Sequence, residues 1–320
     1  MKAIRVEEYG GPEVLQFKEV PDLTPGQGQV LIRVRAAGIN PVETYFRTGT
    51  YAIKPELPWT PGSDAAGEIA AVGDGATNWH VGARVYTSGS VTGTYAEYAL
   101  CDVNSVHPLP DGITFAQGAA LGVPYATAYR ALFDHANAQP GETVFVHGAS
   151  GGVGIAAIQL ARSHGLVVIG SAGSERGRQL VLEQGAHHVV DHHTEDYLQE
   201  LLGINCGRGP DIILEMLANV NLAKDLKVIA KNGRIVIIGN RGTIEINPRD
   251  AMAREAVIHG MVLFNMTAEE KRKVHAALVS RLECGAIKPV IDQEIPLAEA
   301  PRAHEAVTQS NSHGKIVLMP

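Results

Sequence analysis

The chain has 320 residues, more than one ordinary core needs and comfortable for two domains. Its 34 acidic residues outnumber its 27 Lys and Arg, and the formal net charge of -7 gives no global electrostatic reason to bind nucleic acid. Apolar residues make up 45%, yet no run approaches the ~20 uninterrupted apolar residues of a membrane helix, and the opening MKAIRVEEYGGPEV lacks the apolar stretch of a secretory signal.

The first third reads as β-rich. MKAIRVEEY, QVLIRVRAAGI, AAGEIAAVG, ARVYTS and TYAEYALC are short apolar or alternating runs parted by Gly and Pro clusters such as PGQGQ and TPGSD. This spacing predicts a partly closed β barrel or sandwich. Cys101, Cys206 and Cys284 are far apart and form no C-x2-C pair, which argues against a structural zinc lobe and fits a reducing, cytosolic compartment.

From Pro124 onward strand and helix signals alternate. ETVFVH, LVVIGSA, HHVVDH, DIILEML, GRIVIIG and AVIHGMVLF read as six strands. Between them GVGIAAIQLARSHG, SERGRQLVLEQG, TEDYLQELLG (with Thr194 as N-cap) and LAKDLKVIA read as helices. Near-continuous apolar strands alternating with helices predict a doubly wound parallel sheet, the dinucleotide-binding arrangement. A helix at about 268–283 follows. The tail KPVIDQEIPLAEAPRAHEAV…GKIVLMP reads strand–helix–strand and is expected to rejoin the first domain. The domain expectation is therefore 1–123 with 285–320, and 124–284.

The segment His147–Gly154, HGASGGVG, sits between the first of these strands and its helix. A helix N-terminus offers unpaired N–H groups and the positive end of a dipole, so an anion there is stabilised twice. Glycines let the backbone approach phosphate, and Gly154 lets the helix pack close. The spacing Gly148-x-x-Gly151-x-x-Gly154 alone equally describes a tight strand–helix turn. Its place at the head of six strands favours a phosphate cradle. An NAD site wants Asp or Glu at the end of the next strand. Here Ser171-Ala-Gly-Ser174 stands there, followed by Arg176 and Arg178, which favours a 2′-phosphate and so NADPH; Glu175 pulls the other way, and a solvated helix start explains both arginines equally well. The cluster HHVVDHH spans a strand and a turn, so its histidines do not share one helix face and no metal site is expected there. No nucleophile-elbow, zincin or P-loop motif occurs.

The segments GINPVETYFRTGTY, PGSDAAGEIAAVG, TGTYAEYA, PYATAYRAL, VHGASGGVG, EMLANVNL and RGTIEINPRD resemble, over essentially the whole chain, the zeta-crystallin (NADPH:quinone oxidoreductase) branch of the medium-chain dehydrogenase/reductase superfamily. The resemblance implies a GroES-like catalytic domain, a Rossmann domain and a cofactor cleft between them. Zinc-dependent members carry Cys or Asp after the turn matched here by Gly38-Ile-Asn40, and His in the segment matched by Pro61-Gly-Ser-Asp64; with neither Cys nor His present, no metal is expected. A quinone is already a strong electrophile, so placement in a dry cleft suffices.

By matching position the resemblance implies cofactor contacts at Tyr45, Thr127, Ser150, Gly151, Gly152, Val153, Gly173 and His192, to which the strand-end reading adds Ser174 and Arg178. The resemblance extends them to Asn221, Ile238, Gly239, Asn240, Arg241, Met261, Val262 and Leu263. Asn40 and Tyr45 are the candidate polar groups beside the nicotinamide, against plain readings as a turn Asn and a barrel-edge Tyr. The implied activity is a zinc-independent, NADPH-dependent reduction of quinones, which members of the branch often perform one electron at a time. A reductase of activated alkenes shares every feature, and AU-rich RNA binding is a secondary alternative weakened by the acidic balance. The sixth strand reads as a sheet edge, so pairing of two chains across a two-fold axis is expected there, and the resemblance implies a homotetramer.

Overall fold

The computed structural model describes residues 1–309 and 313–320. The chain divides into two units, Met1–Pro124 with Ala268–Pro320, and Tyr125–Thr267. Among the described residues no helix is long and apolar enough to cross a membrane.

In the first unit, the β-branched run Gln29–Gly38 becomes a ten-residue strand at the centre of a seven-stranded sheet. One of its edges pairs antiparallel with Asp64–Val72. The other edge is shared: Tyr98–Asp102 pairs with its first half, and Lys315–Met319 with Ala37 and Gly38. Ile291–Pro296 adds in parallel outside Lys315–Met319, so the tail rejoins this sheet as the sequence predicts. Alternating side chains from these strands and from the strand Arg84–Ser88, Val30, Ile32, Val34, Ile69, Val85, Ile316 and Leu318 among them, fill a core with the fully buried Tyr95.

The helix Ala268–Glu283 also belongs here, whereas the sequence expectation placed it with the second unit. Its His275 ring stacks on His107 with centroids 3.9 Å apart, and its Nδ1 lies 3.0 Å from the Tyr86 hydroxyl. The apolar spacing of Val274, Leu278 and Leu282 announces a buried face, but spacing does not say which sheet it meets. Short elements with weak periodicity also escaped the sequence reading: the strands Gln16–Glu19 and Val106–Pro108 and the helix Pro41–Thr48.

The second unit holds six parallel strands. In spatial order they are His188–Val190, Val167–Ser171, Thr143–Val146, Ile212–Glu215, Arg234–Ile237 and Val257–Gly260. The first strand in sequence therefore lies between the second and the fourth. That is the doubly wound order, with its topological switch point where Thr143–Val146 and Ile212–Glu215 meet. Every residue of those two strands is buried, as expected of strands covered on both faces. Val257–Gly260 is an edge strand, as predicted. The helix Tyr197–Ile204 begins at Asp196 rather than at Thr194, because the Thr194 hydroxyl donates back to the Asp191 carbonyl and closes a turn there.

Candidate functional site

The glycine loop leaves the end of Thr143–Val146 and enters the helix Gly152–Ser163 through Gly151 as N-cap. Gly148 adopts a left-handed φ of 54°, which turns the chain sharply after His147. Gly154 has a different task. A Cβ placed on it would lie 2.5 Å from the Gly148 carbonyl oxygen and 2.6 Å from the Ala149 Cα, both backbone atoms. The helix thus rides directly on its own loop, and Ile155 to Ala161 are buried behind it. No side chain caps the first turn, so its N–H groups are left for an external anion. Ser150, Gly151, Gly152 and Val153 are partly exposed at this turn. A Cβ on Gly151 would meet nothing nearer than 3.5 Å, which leaves open the space a phosphate would need.

The second strand ends at the buried Ser171 and carries no acid. Ser174 caps the next helix, Glu175–Glu183, by accepting from the Gly177 N–H. Gly173 lies under two imidazoles: a Cβ there would come within 2.3 Å of His193 Nε2 and 2.8 Å of His192 Nε2. Partial burial and the neighbouring His193 lower the His192 pKa. Arg178 is engaged in an ion pair with Asp191, the residue just past the third strand. Sequence reading did not bring these two together, since their pairing depends on strands two and three lying side by side.

The other strand ends lock onto one another. Gly239 N–H and Ile238 N–H both reach the Glu215 carbonyl, at 3.2 and 2.9 Å. The Asn240 side chain accepts from the Asn219 N–H at 3.0 Å, and the Arg241 N–H donates to Asn219 Oδ1 at 2.9 Å. Arg241 itself is exposed. Past the edge strand, Met261 is buried, Val262 is exposed, and Leu263 opens a short 3-10 turn; Arg130 donates to the Val262 carbonyl at 2.6 Å. Thr127 is buried on the helix Gly122–Tyr129.

Beneath the loop lies a group that no sequence motif announced. His147 Nε2 is 2.9 Å from Asp225 Oδ1 and 3.2 Å from Glu215 Oε2, and the three functional atoms lie within 4.8 Å of one another. Glu215 Oε1 accepts from the Asn221 side chain at 3.2 Å and from the Leu217 N–H. Burial pushes the Glu215 and Asp225 carboxyl groups up to about 7 and lowers the His147 imidazole.

In the first unit Asn40 is 2% exposed and Tyr45, on the helix Pro41–Thr48, is half-buried. The Asn40 amide is held at both ends: Nδ2 donates to Asp64 Oδ2 at 2.9 Å, and Oδ1 accepts from Lys315 Nζ. Lys315 Nζ is also 3.5 Å from Asp64 Oδ2, and Asp64 accepts from the Val123 N–H at 2.9 Å. Glu43 binds the Asn40 N–H, the Ser63 N–H and the Tyr95 hydroxyl, at 2.8, 2.9 and 2.6 Å. Burial raises the Asp64 and Glu43 pKa values and lowers that of Lys315. Asn40 therefore orients the turn from within.

A parallel six-stranded sheet carrying a glycine loop, joined in sequence to a β-rich unit, defines a dehydrogenase/reductase with a dinucleotide-binding domain. Family models agree: "Alcohol dehydrogenase GroES-like domain" matches residues 26–111 and "Zinc-binding dehydrogenase" residues 152–280. The chain is 51% identical to quinone oxidoreductase of Homo sapiens and 52% identical to that of Rattus norvegicus, over 100% of its own length and 98% of theirs. Among solved structures, Escherichia coli quinone oxidoreductase complexed with NADPH matches with a TM-score of 0.90 and 29% identity over 100% of both chains. The chain belongs to the quinone oxidoreductase family of the medium-chain dehydrogenase/reductase superfamily.

Proposed function

We propose that the protein is an NADPH:quinone oxidoreductase that works without zinc. The observation that carries the cofactor is the open glycine turn beside an acid-free strand end. The first-turn N–H groups of Gly152–Ser163, with Ser150 to Val153, are proposed to hold the pyrophosphate. Gly173, Ser174, Arg178 and His192 surround the proposed adenosine 2′-phosphate position. In this reading Asp191 keeps Arg178 oriented and yields part of its charge to the ligand. Thr127, Asn221, residues 238–241 and residues 261–263 form the remaining proposed contacts, and Tyr45 is the proposed polar contact of the first unit. NADPH, when bound, supplies the reducing equivalents. The protein's own part is to place the reactants and exclude water, which a reactive quinone allows.

Zinc independence is supported by the side chains at the matching positions. Asn40 and Asp64 lie in the two segments matched to those in which zinc-dependent relatives carry ligands, and here they bond to each other and to the Lys315 ammonium. The test is NADPH consumption with ortho- and para-quinones and with enones, with and without chelator. Quinone-dependent turnover that survives chelation is expected. Turnover with enones alone, or complete loss on chelation, would overturn the reading.

We also propose a cytosolic homodimer or homotetramer. Its three cysteines are free thiols, which suits a reducing compartment. The edge strand Val257–Gly260 exposes Val257 and Ile258, and Val262 and Phe264 follow it, so an apolar sheet edge is left to be covered. Solution scattering should give the mass of two or four chains, and a single-chain mass would refute this assembly.

A further inference from the structure

Three ionisable side chains lie buried where the glycine loop, the strand Ile212–Glu215 and the helix Ala218–Val228 meet: His147, Glu215 and Asp225. One imidazole N–H cannot satisfy two carboxylates. His147 Nε2 faces Asp225 Oδ1 at 2.9 Å and Glu215 Oε2 at 3.2 Å. Glu215 Oε2 and Asp225 Oδ2 are both buried without a hydrogen-bond partner, and the two carboxyl groups converge on the same imidazole nitrogen. Two bare carboxylates this deep would be costly. A proton held between them satisfies both leftover oxygens, and the pair then titrates as a unit.

The surroundings add little to offset that charge. Lys224, on the helix that bears Asp225, acts on Asp225 and His147. From the helix Tyr197–Ile204, the Tyr197 phenol is pushed up to about 12, by burial and then by both carboxylates. His192, in the turn after His188–Val190, feels His147. The strand Thr143–Val146 presents only the Phe145 ring. Meanwhile Glu215 holds Asn221 and the Leu217 N–H, and its neighbour Met216 lies against Gly148 and Gly239. A Cβ on Gly148 would approach the Met216 side chain at 3.8 Å, and one on Gly239 would strike the Met216 carbonyl at 2.2 Å. The trio thus sits at the topological switch point, directly behind the loop and the 238–241 turn.

We propose that Glu215 is a positioning residue for the dinucleotide, and that the proton it shares with Asp225 makes dinucleotide affinity depend on pH. This rests on the NADPH reading above. The sign follows from charge. At low pH the pair carries one proton more and one negative charge fewer. As pH rises through neutrality the proton leaves, and an added negative charge appears behind the phosphate cradle. Affinity for the anionic dinucleotide is therefore greatest below neutrality and falls above it.

The experiment titrates the full chain with NADPH by fluorescence, without quinone. From about pH 6 to about pH 8.5, the wild-type dissociation constant should rise about tenfold more than that of Glu215→Gln. The glutamine amide cannot ionise, so the variant's dissociation constant should change over this range only by what is common to both proteins. The NADPH 2′-phosphate and the exposed His192 and His193 are present in both, so the difference isolates the pair. Asp225→Asn should flatten the profile similarly and serves if Glu215→Gln does not fold. Infrared difference spectra of the wild type should also lose a protonated-carboxyl band over the same range. Equal pH profiles, absence of that band, or a wild-type profile flattened by chelator would each overturn the proposal. Wild-type protein that binds no NADPH at either pH would instead overturn the cofactor reading.

Discussion

Gly154→Ala should cost at least about a hundredfold in kcat/KM for NADPH and lower the unfolding temperature, whereas Gly151→Ala should cost affinity alone. The two glycines are three residues apart in one loop, and the geometry separates their tasks. The Cβ of an alanine at 154 would stand 2.5 Å from the Gly148 carbonyl oxygen and within 2.7 Å of the Ala149 backbone. Neither neighbour is a side chain that can swing aside, so the helix must lift off the loop. Lifting it disturbs the packing of Ile155, Ile158 and Leu160 and moves the first-turn N–H groups from the phosphate position together. Gly151, in contrast, has an ordinary extended backbone (φ -81°, ψ 173°), and the nearest atom to an added Cβ is the Gly148 carbonyl oxygen at 3.5 Å. Alanine there is compatible with the fold and occupies only the space a phosphate would take. We expect KM for NADPH to rise about tenfold with kcat and thermal stability little changed. Thermal melts and steady-state kinetics on both variants check this. A Gly154→Ala enzyme with wild-type kinetics would show that the helix start does not position the phosphate.

Much of the second unit was legible because its signals are local. Each of its six strands is a short apolar run closed by glycine or a polar turn, and the glycine loop stands where the first strand meets its helix. The doubly wound parallel arrangement followed from that alternation through a general rule of winding. What stayed hidden was long-range. Arg178 could be read as a free cation until strands two and three placed Asp191 against it. Glu215 looked like one residue of an apolar strand, and Asp225 like a solvated helix position; both are fully buried and meet His147 from 68 and 78 positions away. In the first unit the helix Ala268–Glu283 showed an apolar face but not its address, which is set by the stack of His275 on His107. The turn at Asn40 was recognised through its matching position, yet the side chain's partners were not. Nothing near Asn40 in sequence predicts a lysine 275 residues downstream.

That lysine carries the second large effect: Lys315→Met should destabilise the protein by about 3–5 kcal/mol, the penalty typical of stranding one member of a buried ion pair. Lys315 is 5% exposed and enters on the strand Lys315–Met319, where that strand meets Ala37 and Gly38. Its ammonium reaches Asn40 Oδ1 and lies 3.5 Å from Asp64 Oδ2. Without it Asp64, already raised by burial, loses its strongest attraction and must either stay charged in the interior or take up a proton. The Asn40 carbonyl loses its donor in the same step. Methionine fills much of the same volume, so the loss reports charge and hydrogen bonding more than a cavity. Asp64→Asn added to Lys315→Met removes the stranded carboxylate while keeping an acceptor for the Val123 N–H, and the pair should recover about half of the lost stability. Urea midpoints for the wild type, both single variants and the double variant close this cycle. Additive losses, with no recovery in the double variant, would show that Lys315 and Asp64 do not act as a pair. Recovery would instead establish that this side of the Asn40 turn is held by a cation supplied by the chain itself, from the strand Lys315–Met319.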